Sequence, residues 1–206
     1  MCKFQLWKAV QEANRGNKKE SCAWQVRNLK KEKLEPGDCV AVDQFVVRQG
    51  GRLFTTSGRE KEEDRFKGGT VFVDMATGKI FVKFQVSLGV EETLVGKACF
   101  EREAALHGVK VKHYQTDNGV FTAQAFVDEI HKNEQRLTFS GVGAHHQNGV
   151  AERAIGTIVR RARTQLLHAQ LRWSEQTPTS LWPMSMHHAV FFAKCGAKHG
   201  VCNEPR

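Results

Sequence analysis

Apolar and polar residues alternate from Cys39 to Val47, a period of two that predicts a strand with one covered face. The alternation stops at Arg48. From there to Gly68 the chain carries Gly50-Gly51 and the run Glu60-Lys61-Glu62-Glu63-Asp64, which together predict a long mobile loop. Val71-Phe72-Val73 and Ile80-Phe81-Val82-Lys83-Phe84 flank Thr77-Gly78-Lys79 and read as a hairpin. Val90 to Leu106 reads as a helix that stops at His107-Gly108, and Val109-Lys110-Val111-Lys112 as a short strand leading to Asp117. Ala123, Phe126, Val127 and Ile130 then recur at helical spacing, with Thr122 placed to cap them.

Arg136 to Phe139 predicts a fifth strand, and Ser140 to Gly149 a glycine-rich loop. A long helix is expected from about Val150, with Ala151, Ile155, Ile158 and Ala162 as its core stripe, and a last helix from near Ser180 to Lys194. The order is βββαβαβαα. Three antiparallel strands followed by βα units make a mixed five-stranded sheet flanked by helices, an α/β chain. Pro36-Gly37 marks a boundary. It divides a polar, lysine-rich segment, residues 1–35, from a core at 36–194 and a tail at 195–206.

A chain of 206 residues with 40% apolar content suits one domain with short appendages. Its longest apolar run, Ala189-Val190-Phe191-Phe192-Ala193, is far below the roughly 18–20 residues that span a bilayer. No apolar stretch follows Lys3, so no secretory signal is expected, and the chain reads as cytosolic or nuclear. The six cysteines form no Cys-x-x-Cys pair and read as free thiols. Cys195, His199 and Cys202 fit no common zinc spacing, so zinc is not expected there.

The charge of +9 is unevenly spread. Residues 1–36 hold nine Lys/Arg and four acids, and residues 150–206 hold eight and three; residues 37–149 hold fourteen and fifteen. A near-neutral core with basic flanks suits an acidic pocket beside a surface that meets phosphates, although basic flanks also serve solubility alone.

Three acids stand out, each with an ordinary explanation. Asp43 ends Cys39-Val40-Ala41-Val42 and reads alone as a strand-end acid facing water. Asp117 opens Asp117-Asn118-Gly119, strong turn chemistry. Glu152 stands in the first turn of a helix, where it favours the helix dipole by roughly 0.3–1 kcal/mol. Together, three carboxylates on separate elements are what holding two hard divalent cations against a phosphodiester requires. At about 100° per residue, Glu152 lies at the edge of its helix's core stripe, with Gly156 and Arg163 within about 40° and Arg160 about 80° away. Gly156 leaves room beside it and the arginines extend the same side toward phosphates. Asp74 also ends a strand but sits by the hairpin turn, and Asp64 lies in a solvated charge run.

In these words and their order the chain resembles the catalytic core of retroviral-type integrases, the Asp,Asp-35-Glu group, and among them those of copia-type LTR retrotransposons. The resemblance rests on Ala41-Val42-Asp43-Gln44, Thr116-Asp117-Asn118-Gly119-Val120-Phe121 and His145-His146-Gln147-Asn148-Gly149-Val150-Ala151-Glu152-Arg153, with 34 residues between Asp117 and Glu152. Gly69-Thr70-Val71-Phe72-Val73-Asp74 and Leu181-Trp182-Pro183-Met184 fit as well, and it covers roughly Pro36 to Lys194. It implies an RNase H-like fold and two Mg²⁺ (or Mn²⁺) ions. Asp43 would bridge both, Asp117 would hold one and Glu152 the other. One ion would activate water or a DNA 3′-hydroxyl, and the other would stabilise the leaving 3′-oxygen. Water gives 3′-end processing; the hydroxyl gives strand transfer of element DNA into target DNA.

His146, Gln147, Asn148, Arg153, Arg160 and Arg163 are expected to contact DNA. The resemblance further implies a homo-oligomer, with Trp173, Trp182, Phe191 and Phe192 as core or interface aromatics, and a nuclear place of work. Asp74 has no part in the family's triad. Met1 and Phe4 stand where the family's preceding zinc module carries cysteines, so residues 1–35 read as its remnant. That feature and the stop at Glu204-Pro205-Arg206 suggest a fragment of a larger polyprotein. Two rivals remain: a silent relic that only binds DNA, and an RNase H-type nuclease.

Overall fold

The computed structural model describes residues 34–54, 61–140 and 148–196. Its strands are β1 (Val40–Gly51), β2 (Phe66–Asp74), β3 (Ile80–Gln85), β4 (His113–Thr116) and β5 (Arg136–Phe139). Its helices are α1 (Val90–Ala105), α2 (Gln124–Lys132), α3 (Gly149–Arg172) and α4 (Trp182–Gly196). The sheet order is β3-β2-β1-β4-β5. β1 is antiparallel to β2, and β2 to β3, whereas β1 and β4, and β4 and β5, run parallel. The mixed five-stranded sheet flanked by helices expected from the sequence is what the chain forms.

The period of two in β1 divides the core. Ala41 and Phe45 join Val71, Val73 and Phe84 against Ile158 of α3 and Trp182, Met186 and Ala189 of α4. Val40 and Val42 join Phe72 and Tyr114 on the other face, against Phe100 of α1 and Phe126 and Ile130 of α2. Each such side chain contributes roughly 1.5–3 kcal/mol by leaving water, so a one-residue slip of β1 would forfeit both faces at once. Asp43 shares the face of Ala41 and Phe45, the one that α3 covers.

The second face also holds a buried lysine. Lys97 is 1% exposed, paired with Glu101 at 2.9 Å, and lies over the Tyr114 ring. The Tyr114 hydroxyl and the Gln135 amide also donate to Glu101, so α1, β4 and the approach to β5 share one polar knot. A buried lysine is tolerable only with such partners.

Four boundaries differ from the sequence reading, for local reasons. β1 runs on through Arg48–Gly51, and β2 starts at Phe66, both inside the expected loop. The glycines that suggested a loop mark close approaches within the sheet. A Cβ at Gly68 would stand 2.1 Å from the Phe45 carbonyl oxygen, and one at Gly51 would strike Trp182 and Pro183. β4 occupies His113–Thr116 rather than Val109–Lys112, because Lys112 spends its backbone N–H on Gly37 and its carbonyl on Arg136. Thr122 closes a short 3-10 turn, donating to the Gly119 carbonyl, and Ala123 takes the N-cap of α2. In α3 the buried stripe is Ala151, Ala154, Ile158 and Ala162, with Ile155 only partly covered. Residues 1–33 and 197–206, with the segment read as a zinc-module remnant and with His199 and Cys202, lie outside the described residues.

Candidate active site

The parallel ladder between β1 and β4 ends at Val42 and Thr116, while β1 continues for nine residues and stays paired with β2. One step past that end, the register sets Asp43 beside Asp117. This is the point where the chain's strand order reverses, with β2 and β3 laid on one side of β1 and β4 and β5 on the other. Crevices at such points are where open α/β sheets take ligands.

Where the ladder ends, two backbone groups of β1, the Val42 carbonyl and the Gln44 N–H, take side-chain partners. Asp43 Oδ1 accepts the Gln44 N–H at 2.8 Å, and Asn148 Nδ2 donates to the Val42 carbonyl at 3.0 Å. Asp117 accepts the Asn118 N–H in the same manner, at 2.7 Å. The chain then turns at Gly119, whose φ of 99° a side chain would strain. Asp117-Asn118-Gly119 is therefore both a turn and the support of an acid.

Asn148 stands at the N-cap of α3, so its bond to Val42 brings the first turn of that helix, with Glu152, against β1. Asp43 senses the other two acids. Burial pushes the Asp43 carboxyl up from its ordinary 3.8 to about 6; the Gln44 N–H opposes this, and the charges of Asp117 and Glu152 add to it. Among the described residues none of the three forms an ion pair, although the chain has nine more basic than acidic groups. Nor do any three His, Cys, Asp or Glu side chains, among the described residues, stand close enough together to hold an ion. The triad is thus a loose group within electrostatic reach rather than a closed cage. Its donors, carboxylate oxygens free of cationic side chains, fit a hard divalent ion in chemistry.

Gln44 supports Asp43 from the opposite face of the sheet, a feature the sequence reading missed. Its amide donates to Gln85 Oε1 at 3.3 Å and to the Leu88 carbonyl at 3.2 Å. Gln85, itself 0% exposed, also accepts from Thr70 and donates to Thr93. The available signal was polarity where the alternation calls for core: Gln44 falls on the face of Val40 and Val42.

The other candidates fall as follows. Arg153, Arg160 and Arg163 are exposed on α3, and a Cβ built at Gly156 meets nothing, so this flank is open. Asn148, expected at DNA, is 2% exposed and its amide is committed to Val42. His145, His146 and Gln147 lie outside the described residues. Asp74 accepts from the backbone of Gly37 and Thr77 at the opposite end of β1, a structural role, and Asp64 is exposed. Trp182 is core, donating to the Gln49 carbonyl, whereas Trp173, Phe191 and Phe192 are exposed.

No protein-family model and no curated protein matches the sequence. Solved structures do. The catalytic core domain of HTLV-2 integrase in complex with magnesium superposes in its dimeric form with a TM-score of 0.50 and 20% identity, over 77% of this chain and 86% of that one. The fold is that of a retroviral integrase catalytic core. The trimeric form of the same core gives a TM-score of 0.50 at 21% identity, over 77% of this chain and 85% of that one. A simian T-cell lymphotropic virus intasome in complex with PP2A regulatory subunit B56 gamma gives 0.51 at 17%, over 76% of this chain and 48% of that one.

An integrase-core fold with a carboxyl held at about 6 carries a stability cost with a definite sign. Between about pH 4 and 6 the folded chain keeps a proton on Asp43 that the unfolded chain has released, so stability falls as pH rises through that window. Asp43→Asn should therefore stabilise the cation-free protein at pH 7.5, by about 1–2 kcal/mol after allowing for solvent screening of a half-buried group. Near pH 4 the difference should vanish. Urea unfolding at the two pH values checks this; an asparagine variant no more stable at pH 7.5 would contradict the burial of a charged Asp43.

Proposed function

We propose that residues 36–194 form the catalytic core of an integrase, of the copia-type LTR retrotransposon group, that performs 3′-end processing and strand transfer on DNA. The observation that carries this reading is the placement of Asp43 and Asp117 each one residue past the end of the β1–β4 ladder, with Glu152 on the helix that Asn148 ties to the same point. The integrase-core fold supports it. So does the magnesium held by the HTLV-2 core. The dimeric and trimeric forms of that core support a homo-oligomer here as well.

Asp43, Asp117 and Glu152 would hold the ions, two Mg²⁺ or Mn²⁺ on this reading. When bound, the metals would lower the pKa of an attacking water or 3′-hydroxyl and stabilise the leaving oxygen. The chain's own groups supply position and charge. Asp43 is central in sequence of contacts: its carboxyl feels both other acids, and its ordinary ionisation is resisted until a cation offsets them. The Gln44 N–H holds one of its oxygens and leaves the other for a ligand. The α3 flank presents Arg153, Arg160 and Arg163 on the side of Glu152, where phosphates of bound DNA would lie. No nucleophilic serine, tyrosine or cysteine is required, because water or the DNA hydroxyl attacks directly. On this reading the protein would act on target DNA in the nucleus.

In a disintegration assay with branched DNA and Mn²⁺, the protein should resolve the substrate. Asp117→Asn should keep its circular dichroism and lose activity beyond the roughly 100-fold that an outer partner of a metal site is worth. Activity retained in that variant would overturn the site. A silent relic would bind the DNA and leave it intact; an RNase H-type nuclease would instead cut an RNA–DNA hybrid.

The arginine flank is tested separately. Each phosphate contact contributes about 0.9 to the slope of log affinity against log salt, so Arg160→Ala/Arg163→Ala should lower the slope by about 2. An unchanged slope would remove those side chains from the DNA surface.

A further inference from the structure

We infer that Asn148 is a positioning residue that sets the separation of Glu152 from Asp43, and that it does not contact DNA; the inference rests on the integrase reading of the site. Asparagine is among the best N-cap residues, and Asn148 occupies the N-cap of α3 with φ −93° and ψ 15°. Its side chain nevertheless makes no capping bond to its own helix. The amide reaches 106 residues back along the chain instead, to the Val42 carbonyl, at 3.0 Å. That carbonyl belongs to the last residue of β1 paired with β4. Its neighbour in sequence is Asp43.

The bond is made at some expense, which argues that it is selective. Asn148 Oδ1 is buried without a hydrogen-bond partner, and the side chain is 2% exposed. A buried amide with one end unsatisfied persists only where the other end matters. Without Nδ2, the Val42 carbonyl would lose its side-chain donor. Glu152 stands four residues along the helix from Asn148, about 40° around its axis, so both lie on one side of the first turns. Tying Asn148 to Val42 therefore holds Glu152 relative to Asp43 through one helical turn and one strand residue. DNA could reach this amide only by displacing it from the sheet.

The test uses the whole chain with Asn148→Leu, which keeps the volume and removes the donor, and Asn148→Ala as a second variant. Mn²⁺ binding is read by calorimetry, DNA binding by fluorescence anisotropy, turnover by disintegration, and the first turn of α3 by hydrogen exchange. The Mn²⁺ dissociation constant should rise and kcat should fall by about 10- to 100-fold, as on losing an outer partner of a metal site. Exchange at Ala151–Arg153 should quicken, and DNA affinity should hold.

Weakened DNA binding with unchanged Mn²⁺ affinity would overturn the inference in favour of a DNA contact. No change in any readout would overturn it too, as would loss of the global fold in both variants, since the amide would then be a general structural element. If the unmodified chain neither binds Mn²⁺ nor resolves DNA, the integrase reading fails. The clamp is then judged alone, by whether exchange in the first turn of α3 quickens in the variants.

Discussion

The site begins where a parallel ladder runs out. β4 is only four residues long and leaves β1 at Val42, yet β1 must continue because β2 pairs with it beyond that point. At that end the Gln44 N–H lies beyond the ladder and needs another partner. Asp43 takes it, and Asn148 reaches the Val42 carbonyl. The acid that holds the Gln44 N–H is thereby aimed at the gap, and the helix that reaches Val42 arrives with Glu152 in its first turn. Asp117 enters at the same place because it is the next residue after β4 ends. One interruption in hydrogen bonding thus accounts for three carboxylates from elements far apart in sequence.

Electrostatics then works against the fold at this spot. Asp43 is held at about 6 by burial and by its two acidic neighbours, without a basic side chain to relieve it. Elsewhere the chain pairs its charges: Lys97 with Glu101, Lys112 with Asp38, Lys79 with Glu103. Among the described residues none of the three acids has a basic partner, in a chain of net charge +9, which suits completion by an external cation. The buried Gln44–Gln85–Thr70–Thr93 set and the Asn148 bond stiffen the strand and the helix on either side of that repulsion.

The strand and helix order was legible because hydrophobic period distinguishes β from α over whole segments, and both faces of β1 announced themselves through Val40, Ala41 and Val42. The glycines misled. Gly51 and Gly68 carry the composition of a loop, but their small size serves contacts with Trp182 and the Phe45 carbonyl that only the tertiary fold reveals. Asp43, Asp117 and Glu152 were readable as chemistry, since acids in such local settings are unusual together. The partners of Asn148 and Gln44 were not, because an amide's partner lies across the fold and no local pattern gives it away.

The most direct test of a cation-completed triad is anomalous diffraction from crystals grown with Mn²⁺. The account predicts metal peaks between Asp43 and Asp117 and between Asp43 and Glu152, with the three carboxylates drawn together around them. Well-ordered carboxylates with Mn²⁺ absent from between them, or bound only elsewhere, would contradict it.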